Sequence, residues 1–145
     1  MEEVLNGLQY AMHGVYVFEK LENYFIGHIS VDGRAIFSGQ MFDVFDNFAK
    51  RIIKGGIRSI DNFVLLNFFE IPRNGNRTLR EYQATMPRKD GNFFGDYEGA
   101  WRETDLRRDT SELEQTFISL LFQNRIWIDE TAKRERAIKI TLSNY

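Results

Sequence analysis

The chain contains no cysteine and only two prolines in 145 residues. The missing cysteine excludes disulfide scaffolds, thiolate metal sites and cysteine nucleophiles together, and it suits a reducing, cytoplasmic setting. Long apolar runs are missing too. The longest, such as Val64-Leu65-Leu66 and Leu120-Leu121-Phe122, fall far short of a membrane span, and Met1-Glu2-Glu3 does not open like a signal peptide. Neither sign of charge dominates: 19 basic and 21 acidic residues leave a net charge of −2, so neither a membrane nor a nucleic-acid partner is expected. No linker, low-complexity tract or repeat divides residues 1–145, and the length suits a single domain with a sizeable core. What the chain has in excess is aromatic side chains. They make up 14% of it, 13 of them Phe, so rings should build much of the core.

Turn chemistry organises the rest. Asp32-Gly33, Asn74-Gly75 and Asp90-Gly91 tolerate the left-handed geometry of tight hairpins, and each lies between β-branched and aromatic segments. Strands are expected near 15–21, 23–31, 34–40, 61–71, 77–87, 92–104, 125–129 and 134–143. In the last, Ile138, Ile140 and Leu142 alternate with Lys139 and Thr141. Residues 1–12 suggest an N-terminal helix over Glu2 to Met12, stopped at Gly14. Two stretches read both ways. Met41 to Lys54 has a helical period, with Asp43 and Asp46 early and Lys50, Arg51 and Lys54 late, as a helix dipole favours. A break at Asp46-Asn47 would instead make it two strands of a meander. Asp109 to Asn124 opens on a capping-box pattern, yet Thr116 to Phe122 also suits a buried strand. The expected fold is therefore mainly β, an antiparallel meander closing into a barrel or strongly curved sheet with one or two short helices. The alternative is an α+β sheet covered by helices at 41–54 and 109–124.

A turn at Asp90-Gly91 would pair Met86 with Gly95, Ala84 with Tyr97, Tyr82 with Gly99 and Arg80 with Trp101. All of these share one face, with large residues opposite small ones. Arg80 could then stack on Trp101. Gln83, Thr85, Asp96, Glu98 and Arg102, with Glu81 opposite Ala100, form the other face and read as solvent-exposed. Gly14-Val15-Tyr16-Val17-Phe18, Phe37-Ser38-Gly39-Gln40-Met41-Phe42-Asp43, Ile53-Lys54-Gly55, Val64-Leu65-Leu66-Asn67-Phe68, Tyr82-Gln83-Ala84 and Gly95-Asp96-Tyr97-Glu98-Gly99-Ala100-Trp101 continue this strand chemistry over residues 14–123. Together they resemble the serial hairpins of small up-and-down β-barrels, the lipocalin, fatty-acid-binding and avidin-like group. That resemblance implies a barrel receiving a small molecule. The Gly-x-Trp of a lipocalin lies on its first strand and here comes late, so no ligand residue of the group carries over.

Catalytic and metal patterns are sparse. His13 and His28 lie outside metal-ligand spacing, and His28, placed opposite Phe37 across Asp32-Gly33, reads as a packed or rim residue. Ser30 and Ser38 lack a nucleophile-elbow context, and Gly55-Gly56 does not open a phosphate loop. Asp96 and Glu98 project from one face about 7 Å apart, a spacing for acid–base work only inside a cavity. Arg107-Arg108, Arg88-Lys89 and Lys133-Arg134 with Arg136 are basic groups interrupted by acids, which suits solvated surface. No catalytic residue, metal or cofactor is therefore assigned. Two functions remain open, both without chemistry. One is a binding protein whose aromatic interior (Tyr82, Phe93, Tyr97, Trp101, with Arg80 at the rim) takes a small apolar or aromatic ligand. The same rings could equally be packed core. The other is an interaction module of inhibitor, immunity or adaptor type, with Phe68, Phe69 and Trp127 as anchors for a protein partner. A hydrolase using Asp96, Glu98 or His28 is a third, weaker reading. A homodimer could form through an unclosed sheet edge.

Overall fold

The structure, a computed structural model, describes residues 8–44, 46–71, 78–88, 93–105 and 126–144. Eight strands follow one another: β1 (Leu8–Phe18), β2 (Leu21–Val31), β3 (Ile36–Asp43), β4 (Ala49–Ile60), β5 (Phe63–Glu70), β6 (Thr78–Pro87), β7 (Gly95–Asp105) and β8 (Ala137–Asn144). A short helix, α1 (Glu130–Glu135), precedes the last. Every strand pairs antiparallel with the next, and β8 pairs back onto β1, so the meander closes into a barrel. Closure leaves none of these strands with a free edge, and the edge-to-edge homodimer has nothing to pair with among them. No helix among the described residues is long and apolar enough to cross a membrane.

Several local expectations are corrected. Leu8 to Met12 belongs to β1, not to a helix, because Tyr10, Met12 and Tyr16 form one buried row along a strand; residues 1–7 lie outside the described set. Met41 to Lys54 is not a helix. It is the end of β3, a turn and the start of β4, with Asn47 and Phe48 in the left-handed region at φ 52° and 54°. Of the early acids and late bases that imitate a helix dipole, Asp43 and Arg51 instead meet across two paired strands in one ion pair. Residues 126–129 form no strand; Asp129 caps α1 by accepting from the Ala132 amide at 2.7 Å. The segment 109–124 and the turns Asn74-Gly75 and Asp90-Gly91 lie outside the described residues.

Alternation then builds the interior. Phe25, Ile29, Phe37, Met41, Ile53, Ile57, Leu66, Phe68, Tyr82, Tyr97, Trp101 and Ile138 all point inward and are at most 2% exposed. An eight-stranded barrel is just wide enough for its own side chains to fill, and rings do the filling here. Phe68 stacks on Tyr82 at 4.6 Å between centroids, and Tyr16 meets Trp101 edge-on at 6.0 Å. Glycines let strands bend around them. A Cβ at Gly99 would run into the Gln83 carbonyl and stand 2.7 Å from the Ala84 Cα; one at Gly55 would stand 2.6 Å from the Phe68 Cα.

The β6–β7 register differs from that of a two-residue turn. Tyr82 pairs with Trp101, Ala84 with Gly99 and Arg80 with Glu103, a shift of two residues that leaves every side chain on its expected face. His28 pairs with Gln40, not Phe37, because the β2–β3 connection runs from Asp32 to Ala35 and puts Ala35 in the left-handed region at φ 62°. The outer face of β6 and β7 is only partly exposed. Gln83 and Ala100 are 0% and Glu81 7% exposed, together with Leu65 and Phe69 of β5. The Trp127 amide donates to the Gln83 Oε1 at 3.1 Å, and Arg102 pairs with Glu81 while covering the Trp127 ring at 4.4 Å. Hence β5 is buried on both faces, which accounts for an apolar run from Phe63 to Phe69 broken only by Asn67.

Candidate functional site

The five residues of the aromatic-interior reading do not form one site. Tyr82, Tyr97 and Trp101 are sunk in the filled interior. Phe93 lies at one end of the barrel, where its carbonyl accepts from the Tyr97 hydroxyl at 2.7 Å and Tyr10 meets Phe94 edge-on at 5.2 Å. Arg80 lies at the other end. Phe68 points into the interior and Phe69 out of it, both 0% exposed, and Trp127 is half-buried, so none of the three is displayed as a free surface anchor.

The Arg80 end has a consistent construction. Along four strands the inward row passes from an apolar residue to a charged one toward the same end of the barrel: Met41 to Asp43, Ile53 to Arg51, Phe68 to Glu70, Tyr82 to Arg80. Antiparallel pairing then gathers these charges at one mouth. Arg51 bridges Asp43 at 2.6 Å and Glu70 at 2.9 Å. Tyr16 donates to the Asp43 Oδ2 at 3.3 Å, and Tyr82 donates to the Glu70 Oε2 at 3.2 Å. Arg80 gives its Nε and Nη2 to one Glu103 oxygen at 3.2 and 2.8 Å. Its Cζ stands 4.5 Å from the Trp101 ring centroid, so the anticipated cation–π contact forms on the diagonal rather than between paired residues. Tyr16 and Phe18 flank the same guanidinium at 5.6 and 5.8 Å, and Arg136 also covers Trp101, at 4.7 Å. The Trp101 indole is anchored by donation to the Val17 carbonyl at 2.9 Å.

Burial shapes the titration of this mouth. It pushes the Asp43 carboxyl above its usual range, with Arg51 and the Tyr16 hydroxyl opposing the shift. Tyr16 is raised by burial and by Asp43, and Tyr82 well above the ordinary phenol value by burial and Glu70. Burial works against the charges on Arg51 and Arg80, yet the surrounding acceptors raise both above the free guanidinium.

Two atoms here remain unsatisfied. The Asp43 Oδ1 and the Arg80 Nη1 are buried without a hydrogen-bond partner among the described residues, although the hydroxyls of Tyr16 and Tyr82 lie nearby. Both residues line a concavity of about 240 Å³, together with Tyr16, Phe18, Asn23, Tyr24, Asp46 and Arg51. A larger concavity of about 370 Å³ on the outer wall gathers Asp96, Glu98 and His13, without His28. Its carboxylates are exposed and already engaged: Thr141 donates to Asp96 at 2.6 Å, and Lys139 stands 3.9 Å from Glu98. Nothing desolvates that pair as acid–base chemistry needs.

Sequence reasoning missed Asp43, Arg51, Glu70, Tyr16 and Phe18 as members of one cluster. The available signal was the change from apolar to charged at the end of consecutive two-residue periods. Among the described residues no group of acidic and histidine side chains is placed to hold a metal. The class of protein is thus an eight-stranded up-and-down antiparallel barrel with a filled interior and one charged mouth. None of the family models, curated proteins or solved structures compared with the chain matches it.

Proposed function

We propose that the chain is a non-enzymatic binding protein that takes a small ligand at the charged mouth of its barrel. The observation carrying this is the pair of buried, unsatisfied polar atoms, Asp43 Oδ1 and Arg80 Nη1, on residues lining one concavity. Buried polar groups are costly unless paired, and a ligand that pairs them converts that cost into affinity. Tyr16, Phe18 and Tyr24 supply ring surface around them. In this reading the protein works as members of the lipocalin, fatty-acid-binding and avidin-like group do, receiving its ligand at one end of the barrel. It differs in that rings occupy the depth of the barrel and the ligand stays near the rim. The absence of cysteine fits a cytoplasmic place of work.

The test is a thermal-shift and tryptophan-fluorescence panel of small aromatic and amphipathic molecules. Binding should raise the melting temperature, and Arg80→Met should remove the shift while Phe93→Leu, at the opposite end, leaves it. Shifts that survive Arg80→Met would place the ligand elsewhere. The second reading, an interaction module, is favoured by the exposure of Tyr24, Ile26, Phe48 and Ile52 on the outside of β2, β4 and their connections. A silent panel together with specific capture of one protein partner that Ile26→Lys prevents would support it.

A further inference from the structure

We infer that the mouth recognises an uncharged, ring-bearing molecule whose polar edge carries both a hydrogen-bond acceptor and a donor, as a primary aromatic carboxamide does. This rests on the mouth being the ligand site, and it adds the polarity of the ligand. One unsatisfied atom is a donor, Arg80 Nη1, and the other is an acceptor, Asp43 Oδ1. Each belongs to a residue in contact with Tyr16, whose hydroxyl reaches Asp43 at 3.3 Å and whose ring lies 5.6 Å from the Arg80 guanidinium. Both residues also line the same concavity of about 240 Å³, so a ligand the size of one ring seated there lies against both. A carboxamide places its carbonyl on the arginine and its N–H on the aspartate. A carboxylate serves only the arginine and leaves Asp43 facing a second anion.

The charge balance points the same way. Arg51, Arg80 and Arg136 are faced by Asp43, Asp46, Glu70 and Glu103 around the same end. Both inner arginines are already engaged by carboxylates, Arg51 by two and Arg80 by one. Among the described residues an acidic head group thus meets two inner arginines that carboxylates already hold, although a cluster of arginine and aromatic residues read on its own suits one. A neutral ligand disturbs none of these pairs. The rings of Phe18, Tyr16 and Tyr24 provide its stacking surface.

Matched pairs test this directly. Benzamide and nicotinamide are titrated into the full chain beside benzoate and nicotinate at neutral pH, with calorimetry and the Trp101 indole N–H resonance as readouts. The amides should bind at least about tenfold more tightly than their acids, the scale on which leaving a buried acceptor unpaired penalises a ligand. Asp43→Asn, close to isosteric, should narrow that preference to less than about threefold by supplying a donor to the acids. Its circular dichroism and melting temperature establish that the barrel is intact. Acids binding as tightly as amides, or a preference unchanged by Asp43→Asn, would overturn the inference while leaving the mouth as the site. Binding by neither series, or amide binding unaffected by Arg80→Met, would overturn the site itself and the inference with it.

Discussion

Replacing Arg51 by methionine removes the hub of the charged mouth while keeping much of its aliphatic bulk. Arg51 holds Asp43 at 2.6 Å and Glu70 at 2.9 Å, and the Asp43 side chain is only 5% exposed. Without the guanidinium, the hydroxyls of Tyr16 and Tyr82 are the remaining donors to these two carboxylates shown by the geometry. Removing one partner of a buried ion pair costs about 3–5 kcal/mol, because the other charge stays buried. Glu70 and Arg51 are about one-fifth exposed, at 20% and 18%, so solvent relieves part of this and the expected loss is about 3 kcal/mol. The loss should also depend on pH. Burial already raises the Asp43 carboxyl above 3.8, and Arg51 is the first force opposing the rise. Deleting Arg51 raises it further. A group raised in the folded state contributes stability below its unfolded value and loses it as pH climbs through the folded one. The deficit should therefore be largest near pH 7.5 and shrink toward pH 4.5. Urea unfolding of both proteins, followed by tryptophan fluorescence at the two pH values, measures it. A deficit under about 1 kcal/mol near pH 7.5, the level of an exposed pair, or one equal at both pH values, would refute the reasoning.

Gly99→Val should destabilise the barrel by about 3 kcal/mol or prevent folding, since the first added carbon meets the Gln83 carbonyl; Gly33→Ala, with open space around it, should stay within about 0.5 kcal/mol on the same denaturation assay. Burial raises the Tyr82 and Tyr97 phenols, so both should remain protonated near pH 11 in a native absorbance titration at 295 nm and ionise only on unfolding. Their contribution to stability is complete below pH 10 and lost as pH rises beyond it, so alkaline unfolding should release them together. Glu19 and Lys20 form the β1–β2 turn with φ of 52° and 66°, a geometry favouring Asn-Gly, so the double change Glu19→Asn, Lys20→Gly should stabilise by about 1 kcal/mol in urea. No gain, or a loss, would show that these side chains do not strain the turn.

The barrel was legible in the sequence because its interior obeys a two-residue period that survives errors of register. The Asp90-Gly91 count misplaced every β6–β7 partner by two positions, yet Tyr82, Tyr97 and Trp101 stayed inside, since an even slip preserves the face. The odd slip at Asp32-Gly33 placed His28 opposite Phe37, whereas it pairs with Gln40 on the outer side. Met41 to Lys54 was ambiguous because charges that end an inward row also look like the polarised ends of a helix. Only the partner strands tell Asp43 and Arg51 apart from dipole caps. The mouth was the least legible part. Its members come from β1 to β7, and their meeting depends on strand order, which no local window contains. The burial of Gln83 and Glu81 escaped for the same reason, since Trp127 approaches them from 44 positions away in the case of Gln83.

Closure by β8 on β1 has a consequence for how the molecule comes into being. Met12 and Leu142 are register partners 130 positions apart, so the seam is the last pairing that vectorial synthesis permits. Until β8 leaves the ribosome, β1 presents a row of unpaired amides and carbonyls beside Tyr10, Met12 and Tyr16. Such a strand can pair with another nascent chain as readily as with its own. High translation rates should therefore drive this protein toward aggregates through β1, and slower synthesis or a chaperone that shields β1 should recover it.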